Sequence, residues 1–312
     1  MATATRPGPD SGANQETESA DDFVLGTHTF INSATVTGLL PAGVNLSDVS
    51  QVVVEIYRVF PNDSDTNRTL HVPTRQNSPS DVEFDDRDSA SGNLQFTTTL
   101  LNADFEATNS VDTGIHASPL QTTQGDGAVR GQEVQFNITF TTSFYLPPDH
   151  YFFVPQVLLK NPDTHFLWLS APKPIVAPGT PFAGGTDLQE WIRNADLDPD
   201  WLRVAADIVG APPTFNATFS LSGDLDSDGD RVPDSLDQCP DTAPGAIVDS
   251  QGCSLDQLVP CSGPASGGSW KNHGGYVSSF SQAAEGFVEQ GLISPEDAET
   301  LVSSAAQSSC GK

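Results

Sequence analysis

Positive charge is scarce in this sequence: four Lys and nine Arg stand against 41 Asp and Glu among 312 residues, a formal net charge of −28. A nucleic-acid partner needs clustered cations that release counterions from phosphates, and no basic run occurs anywhere in the chain. An anionic membrane surface is disfavoured for the same reason. Long apolar runs are missing as well: no stretch approaches the roughly 18 residues of a membrane-spanning helix, so no insertion is expected. The first 22 residues lack the apolar core of a secretory signal and read as a disordered leader. Catalytic motifs are absent too. The six His, at positions 28, 71, 116, 150, 165 and 273, are scattered, and there is no H-E-x-x-H, nucleophile elbow, P-loop or dinucleotide fingerprint. Asp149 and His150 are adjacent on an expected strand and so face opposite ways, which argues against a triad.

Turn formers and alternating apolar residues are abundant. Gly and Pro together number 50, and hydrophobic residues make up 37% of the chain, a composition suited to a β-rich, loop-rich fold. In Gln132 to Phe140, Val134, Phe136, Ile138 and Phe140 alternate with polar residues, the period of a half-buried strand. Leu94 to Leu100 and Phe215 to Leu221 repeat that period. Val52 to Phe60 and Tyr151 to Leu159 are apolar on both faces, as in central strands of a two-layer structure. These patterns predict a mainly β protein with a β-sandwich over 23–221. Short helices are expected at 187–194 and near 201–208. Trp168, Trp191 and Trp201 read either as core packing or as a sugar-stacking platform on the sandwich.

Residues 222–256 differ in kind: nine Asp, one Arg and almost no large apolar side chain, a segment that cannot bury a core and needs an ion, disulfides or both. Within it Asp226, Asp228, Asp230, Asp234 and Asp237 occupy positions 1, 3, 5, 9 and 12 of a twelve-residue loop, with Val232 at position 7 able to offer a backbone carbonyl. Calcium takes six to eight oxygens at roughly 2.3–2.6 Å, and carboxylates this concentrated repel one another unless a divalent ion neutralises them. The run DSDGDRVPDSLDQCPDT followed by GAIVDSQGC resembles a thrombospondin type 3 repeat over about a tenth of the chain. The resemblance implies an extracellular, calcium-dependent, disulfide-linked spacer nearly devoid of regular secondary structure, with Asp226, Asp228, Asp230, Asp234 and Asp237 as ligands and Val232 as the carbonyl. The sequence departs from the pattern at position 6, where Arg231 replaces the Gly that permits a sharp turn.

All four cysteines, Cys239, Cys253, Cys261 and Cys310, lie in the last quarter of the chain. They contain no C-x-x-C pair and only His273 nearby, so two disulfides are expected rather than zinc. Three pairings are possible. Joining near neighbours gives Cys239–Cys253 and Cys261–Cys310, the second enclosing a C-terminal unit. There, over 257–312, Val277, Phe280, Ala284, Phe287 and Val288 share a helical face, Gly291 ends that helix, and Ser294-Pro295-Glu296-Asp297 opens another, a helical hairpin. The segment from Gly268 to Gly275, with Trp270 as a hydrophobic plug, resembles a short helical unit of bacterial proteins that carry such repeats and implies no function.

The combined expectation is a secreted or cell-surface calcium-binding structural or adhesive protein. The sandwich would contact a glycan or another surface protein, and the repeat would act as a spacer before a helical end. The rival is a secreted carbohydrate-active enzyme or other hydrolase with structural calcium, because paired carboxylates meet in space rather than in sequence. Adaptation to high salt is a third reading of the acidity.

Overall fold

The computed structural model describes residues 1–8, 15–69, 72–116, 122–161, 163–172, 188–210 and 213–312. They divide into two compact units, one of Met1–Gly26 and Ile31–Gly223, the other of Thr27–Phe30 and Asp224–Lys312.

The first unit is the expected β-sandwich. Its strands are β1 (Ala2–Ala4), β2 (Thr17–Leu25), β3 (His28–Pro41), β4 (Val49–Val59), β5 (Pro79–Asp88), β6 (Leu94–Ala107), β7 (Ser110–Val111), β8 (Val129–Leu146), β9 (Asp149–Leu159), β10 (Leu167–Pro172), β11 (Trp191–Asn194), β12 (Leu202–Arg203), β13 (Phe215–Ala217) and β14 (Phe219–Asp226), of which the first three residues of β3 and the last three of β14 fall in the second unit. One sheet runs β6-β8-β3-β10-β1-β7, with β13 on β10 and β14 on β3; the other runs β12-β11-β2-β9-β4-β5. Period-two alternation puts Val134, Phe136 and Ile138 of β8 and Val52, Val54 and Ile56 of β4 into one shared core with Phe153 and Trp168. As their two-sided apolarity predicts, β4 and β9 are interior strands. Their opposite face buries Tyr57, Phe152 and Val154 with Trp191 and Trp201 in a second cluster. All three tryptophans are therefore core residues, at most 1% exposed, and form no surface platform.

Two expectations are corrected. Residues 1–8 and 15–22 are not a disordered leader; 9–14 lie outside the described residues. β1 is an interior strand, antiparallel to β10 and parallel to β7, and β2 lies between β11 and β9. Their polar side chains are buried because distant groups satisfy them. The Ser19 hydroxyl donates to the Ala4 carbonyl, the Asp22 carboxylate accepts from His150 Nε2 at 2.6 Å, and Glu18 pairs with Arg193. His150 is thus committed to Asp22, while the Asp149 carboxylate accepts from the His150 backbone N–H and pairs with Arg58 at 3.6 Å. The second correction concerns the helix expected at 187–194. Residue 187 lies outside the described residues, and Trp191–Asn194 form β11, whose partner β2 supplies the ladder that overrides local helical spacing. Near 201–208 the chain is helical only over Val204–Val209, after the short strand β12.

In the second unit the acidic segment and the helical end share one compact body, so the expected boundary between 256 and 257 separates nothing. The helices are α1 (Leu255–Leu258), α2 (His273–Glu289) and α3 (Pro295–Gln307). Leu255 and Val259 join Tyr276, Phe280, Ala284 and Phe287 of α2 and Ala298 and Ala305 of α3 in one core. Ser294 caps α3, its hydroxyl accepting from the Asp297 N–H at 3.1 Å. Trp270 packs edge-on to Tyr276 and donates its indole N–H to the Pro260 carbonyl at 2.8 Å, which is the plug role. The disulfides are Cys239–Cys253 and Cys261–Cys310, the near-neighbour pairing.

Candidate metal centre

Asp226 ends β14 with its side chain wholly buried, and the chain then folds back over it. Its two carboxylate oxygens accept from the Gly229 and Arg231 N–H groups, each at 2.9 Å. Asp228 accepts from the Thr242 N–H at 2.7 Å and from the Asp230 N–H at 3.4 Å; Asp230 Oδ1 accepts from the Val232 N–H at 2.8 Å. Apart from the Thr242 bond, these are a direct outcome of the D-x-D-x-D spacing, since each aspartate reaches a backbone N–H two to five residues on. One oxygen from each of Asp226, Asp228 and Asp230 falls within 4.8 Å of the others, so the cluster can hold a metal ion.

Two features single out Asp230. Its Oδ2 is buried without a hydrogen-bond partner, a costly state for a carboxylate oxygen. Burial, followed by the charges of Asp228, Asp237 and Asp226, raises its pKa, against the Val232 N–H, which lowers it. An orphaned, electrostatically crowded oxygen is what a bound cation would relieve. The donor set offers oxygen and no thiolate, because both nearby cysteines are bonded to each other, and that set suits a hard cation.

The other expected ligands divide. Asp237 lies beside Asp230: both approach Gly252, whose position has no room for a side chain. Asp237 also accepts from the Cys239 N–H at 2.7 Å, which ties the carboxylate to the disulfide. Asp234 is placed differently. Its oxygens accept from the Ser227 N–H and hydroxyl, both at 2.7 Å, and its own N–H donates to the Leu225 carbonyl. It braces the loop and is outside the group of three. Val232 contributes its N–H to Asp230, as above. Arg231 is exposed and sits at φ +75°, the left-handed conformation that the position demands and that Gly adopts without cost.

Two residues escaped the sequence reading. Thr242 is buried; its N–H holds Asp228, and its hydroxyl lies 3.0 Å from the Cys239 and Gly252 carbonyls and from Gln257 Oε1. No local pattern marks it. Gly252 was legible in principle, since it immediately precedes Cys253.

Elsewhere among the described residues a pair of carboxylates, Glu18 and Glu55, shares the Tyr57 hydroxyl, each 3.0 Å from it. They are 3% and 8% exposed, and Glu18 is held by Arg193, whose guanidinium lies 4.4 Å from the Trp201 ring. Burial, then the charge of Glu18, pushes Glu55 well above the usual carboxylate range. The arrangement is an internal hydrogen-bonded network. Among the described residues no helix is long and apolar enough to cross a membrane.

A scan against family models finds no match to this chain, and neither do searches of curated proteins and of solved structures.

Proposed function

We propose that this is a secreted or cell-surface calcium-binding protein with a structural or adhesive role. Its C-terminal unit is ordered by calcium at Asp226, Asp228 and Asp230, with Asp237 and the Val232 carbonyl completing the shell. The observation that carries the reading is the convergence of three carboxylates within 4.8 Å around an Asp230 oxygen that has no hydrogen bond. Calcium is the hard cation that tolerates this irregular, all-oxygen set; magnesium demands near-ideal octahedral geometry and dehydrates reluctantly. The two disulfides support an oxidising compartment. Asp234 acts here as a brace rather than a ligand. In this reading the ion is a folding element of the unit that contains the helical hairpin, and the sandwich supplies the contact surface, to a glycan or another surface protein.

The test is calcium titration of the chelator-stripped protein by calorimetry, followed by unfolding with and without EDTA. Saturable binding, with a melting transition of the C-terminal unit that EDTA lowers, supports the reading. No heat of binding and identical melting and protease sensitivity over 226–253 would overturn it. The rival hydrolase requires two carboxylates in an open cleft, and the Glu18–Glu55 pair does not provide that.

A further inference from the structure

The C-terminal unit has two helices of more than one turn, α2 and α3, of 17 and 13 residues. Two helices bury their apolar stripes along a single seam, and the flanks of that seam stay uncovered. On one flank lies a groove of about 650 Å³ whose lining residues all belong to α2 and α3. Its floor is Ala284 and Val288 from α2 with Ala298 and Val302 from α3. Each pair is spaced by one helical turn, so the floor is a stripe along both helices rather than a round hole. Ala284 and Ala298 belong to the core of the unit, whereas Val288 and Val302 are half-buried and still reach solvent. The α3 side extends from Pro295 to Ala306, about 16 Å at 1.5 Å per residue, the length of three turns.

The rim of this groove is acidic. Glu285 and Glu289 border the floor from α2 and Glu299 from α3, and all three are exposed. Neither helix carries a Lys or Arg, and over 224–312 the chain has only Arg231, Lys271 and Lys312. Among the described residues no ion pair or hydrogen bond engages the three side chains. Glu285 and Glu289 stand one turn apart on one face, where like charges destabilise a helix. An apolar stripe is thus bordered by three carboxylates that the unit itself leaves unneutralised.

We propose that this groove docks a cationic amphipathic helix of another protein, whose apolar stripe lies on the floor and whose flanking Lys or Arg meet the three glutamates. Shape selects a helix: small side chains such as Ala284 and Ala298 let a third helix pack onto the seam at an ordinary interaxial distance, roughly 8–10 Å. Charge selects its flanks. An acidic helix is repelled, and a neutral one desolvates the carboxylates without pairing them. The same argument excludes a second copy, because its own α2 and α3 bring more carboxylates and no Lys or Arg. The inference goes beyond the calcium reading and does not rest on it.

The experiment is fluorescence anisotropy of a labelled Leu–Lys peptide of about 14 residues, with Leu along one helical face, titrated with the full, disulfide-intact chain in calcium. A scrambled peptide of the same composition and a Leu–Glu peptide with the same stripe are the comparisons. Saturable one-to-one binding of the striped Leu–Lys peptide is expected, with the scrambled one at least about tenfold weaker. Glu285→Gln/Glu289→Gln weakens binding about fivefold, as the loss of two exposed ion pairs predicts. Glu296→Gln, on α3 but outside the groove, leaves it unchanged. Glu285→Lys/Glu289→Lys transfers the preference to the Leu–Glu peptide. Equal binding of the scrambled peptide would reduce the attraction to net charge and overturn the proposal, as would no binding or binding indifferent to Glu285 and Glu289. Equal binding of the Leu–Glu peptide would assign the groove to helices of any charge, and a sedimenting dimer that the Leu–Lys peptide dissociates would assign it to a second copy; either result overturns it.

Discussion

Gly252 lies directly under the Asp237 carboxylate: a Cβ at that position would fall on Asp237 Oδ1 and within 3.1 Å of Asp230 Oδ2, and the residue's φ of +78° already favours glycine. The disulfide partner Cys253 follows it in sequence, so one backbone turn sets both the covalent link and the spacing of two carboxylates. Gly252→Ala must move Asp237 away from Asp230 or strain the turn. Calcium affinity measured by calorimetry is expected to fall at least about tenfold, roughly the 1.4 kcal/mol that one misplaced charged ligand represents.

In the proposed calcium site Asp230 is a ligand and Asp234 a brace. Asp230→Asn removes the crowded charge and is expected to abolish most calcium binding while slightly stabilising the ion-free loop, where the carboxylates otherwise repel. Asp234→Asn keeps an acceptor for the Ser227 N–H. It should leave binding within a few-fold of the parent protein, at a cost of about 1 kcal/mol in stability. Equal losses of affinity in the two variants would contradict the assignment.

Arg231 holds a left-handed backbone that costs an L-residue roughly 1–2 kcal/mol. Glycine removes that strain but adds chain entropy of about 0.5–1 kcal/mol to the unfolded state. Arg231→Gly is therefore expected to stabilise the C-terminal unit by about 0.5–1 kcal/mol, read as a raised melting temperature in the absence of calcium.

The two disulfides should differ in weight. Their closures span 14 and 49 residues, and the loop-entropy relation gives about 3 kcal/mol for Cys239–Cys253 and about 4 kcal/mol for Cys261–Cys310. Paired Cys→Ala substitutions, compared by denaturant unfolding with calcium present, are expected to follow that order. The shorter link should have the larger effect on calcium affinity, because the Cys239 N–H holds Asp237.

Glu190 supplies a pH test of the sandwich. Burial, partly offset by the hydrogen bond from the Thr3 hydroxyl, raises its pKa from 4.5 to about 6. The folded state therefore holds the proton more tightly than the unfolded chain. The associated stability is complete below pH 4.5 and is lost as pH rises to about 6, in all about 2 kcal/mol at 1.36 kcal/mol per unit. Glu190→Gln removes the titration. The stability of the parent protein relative to this variant is expected to fall across that window, and a flat difference would refute the assignment.

What the sequence determined by itself is whatever its near neighbours decide. Alternation in 132–140 specified a strand and its buried face, two-sided apolarity in 52–60 specified an interior strand, Ser294-Pro295 specified a helix start, and Asp226, Asp228 and Asp230 converge because each binds backbone two to five residues away. Four cysteines with few alternatives paired as proximity suggested. Tertiary structure decided the rest. The acidic N-terminal segment has no local reason to be a strand; it becomes one because Arg193, His150 and the Ala217 N–H, all more than 120 residues away, satisfy Glu18, Asp22 and Asp21. Trp191–Asn194 leaves its helical spacing for the ladder of β2, and Asp234 turns to Ser227 instead of the cluster. Buried polar groups are stable only with partners, and those partners are far away along the chain.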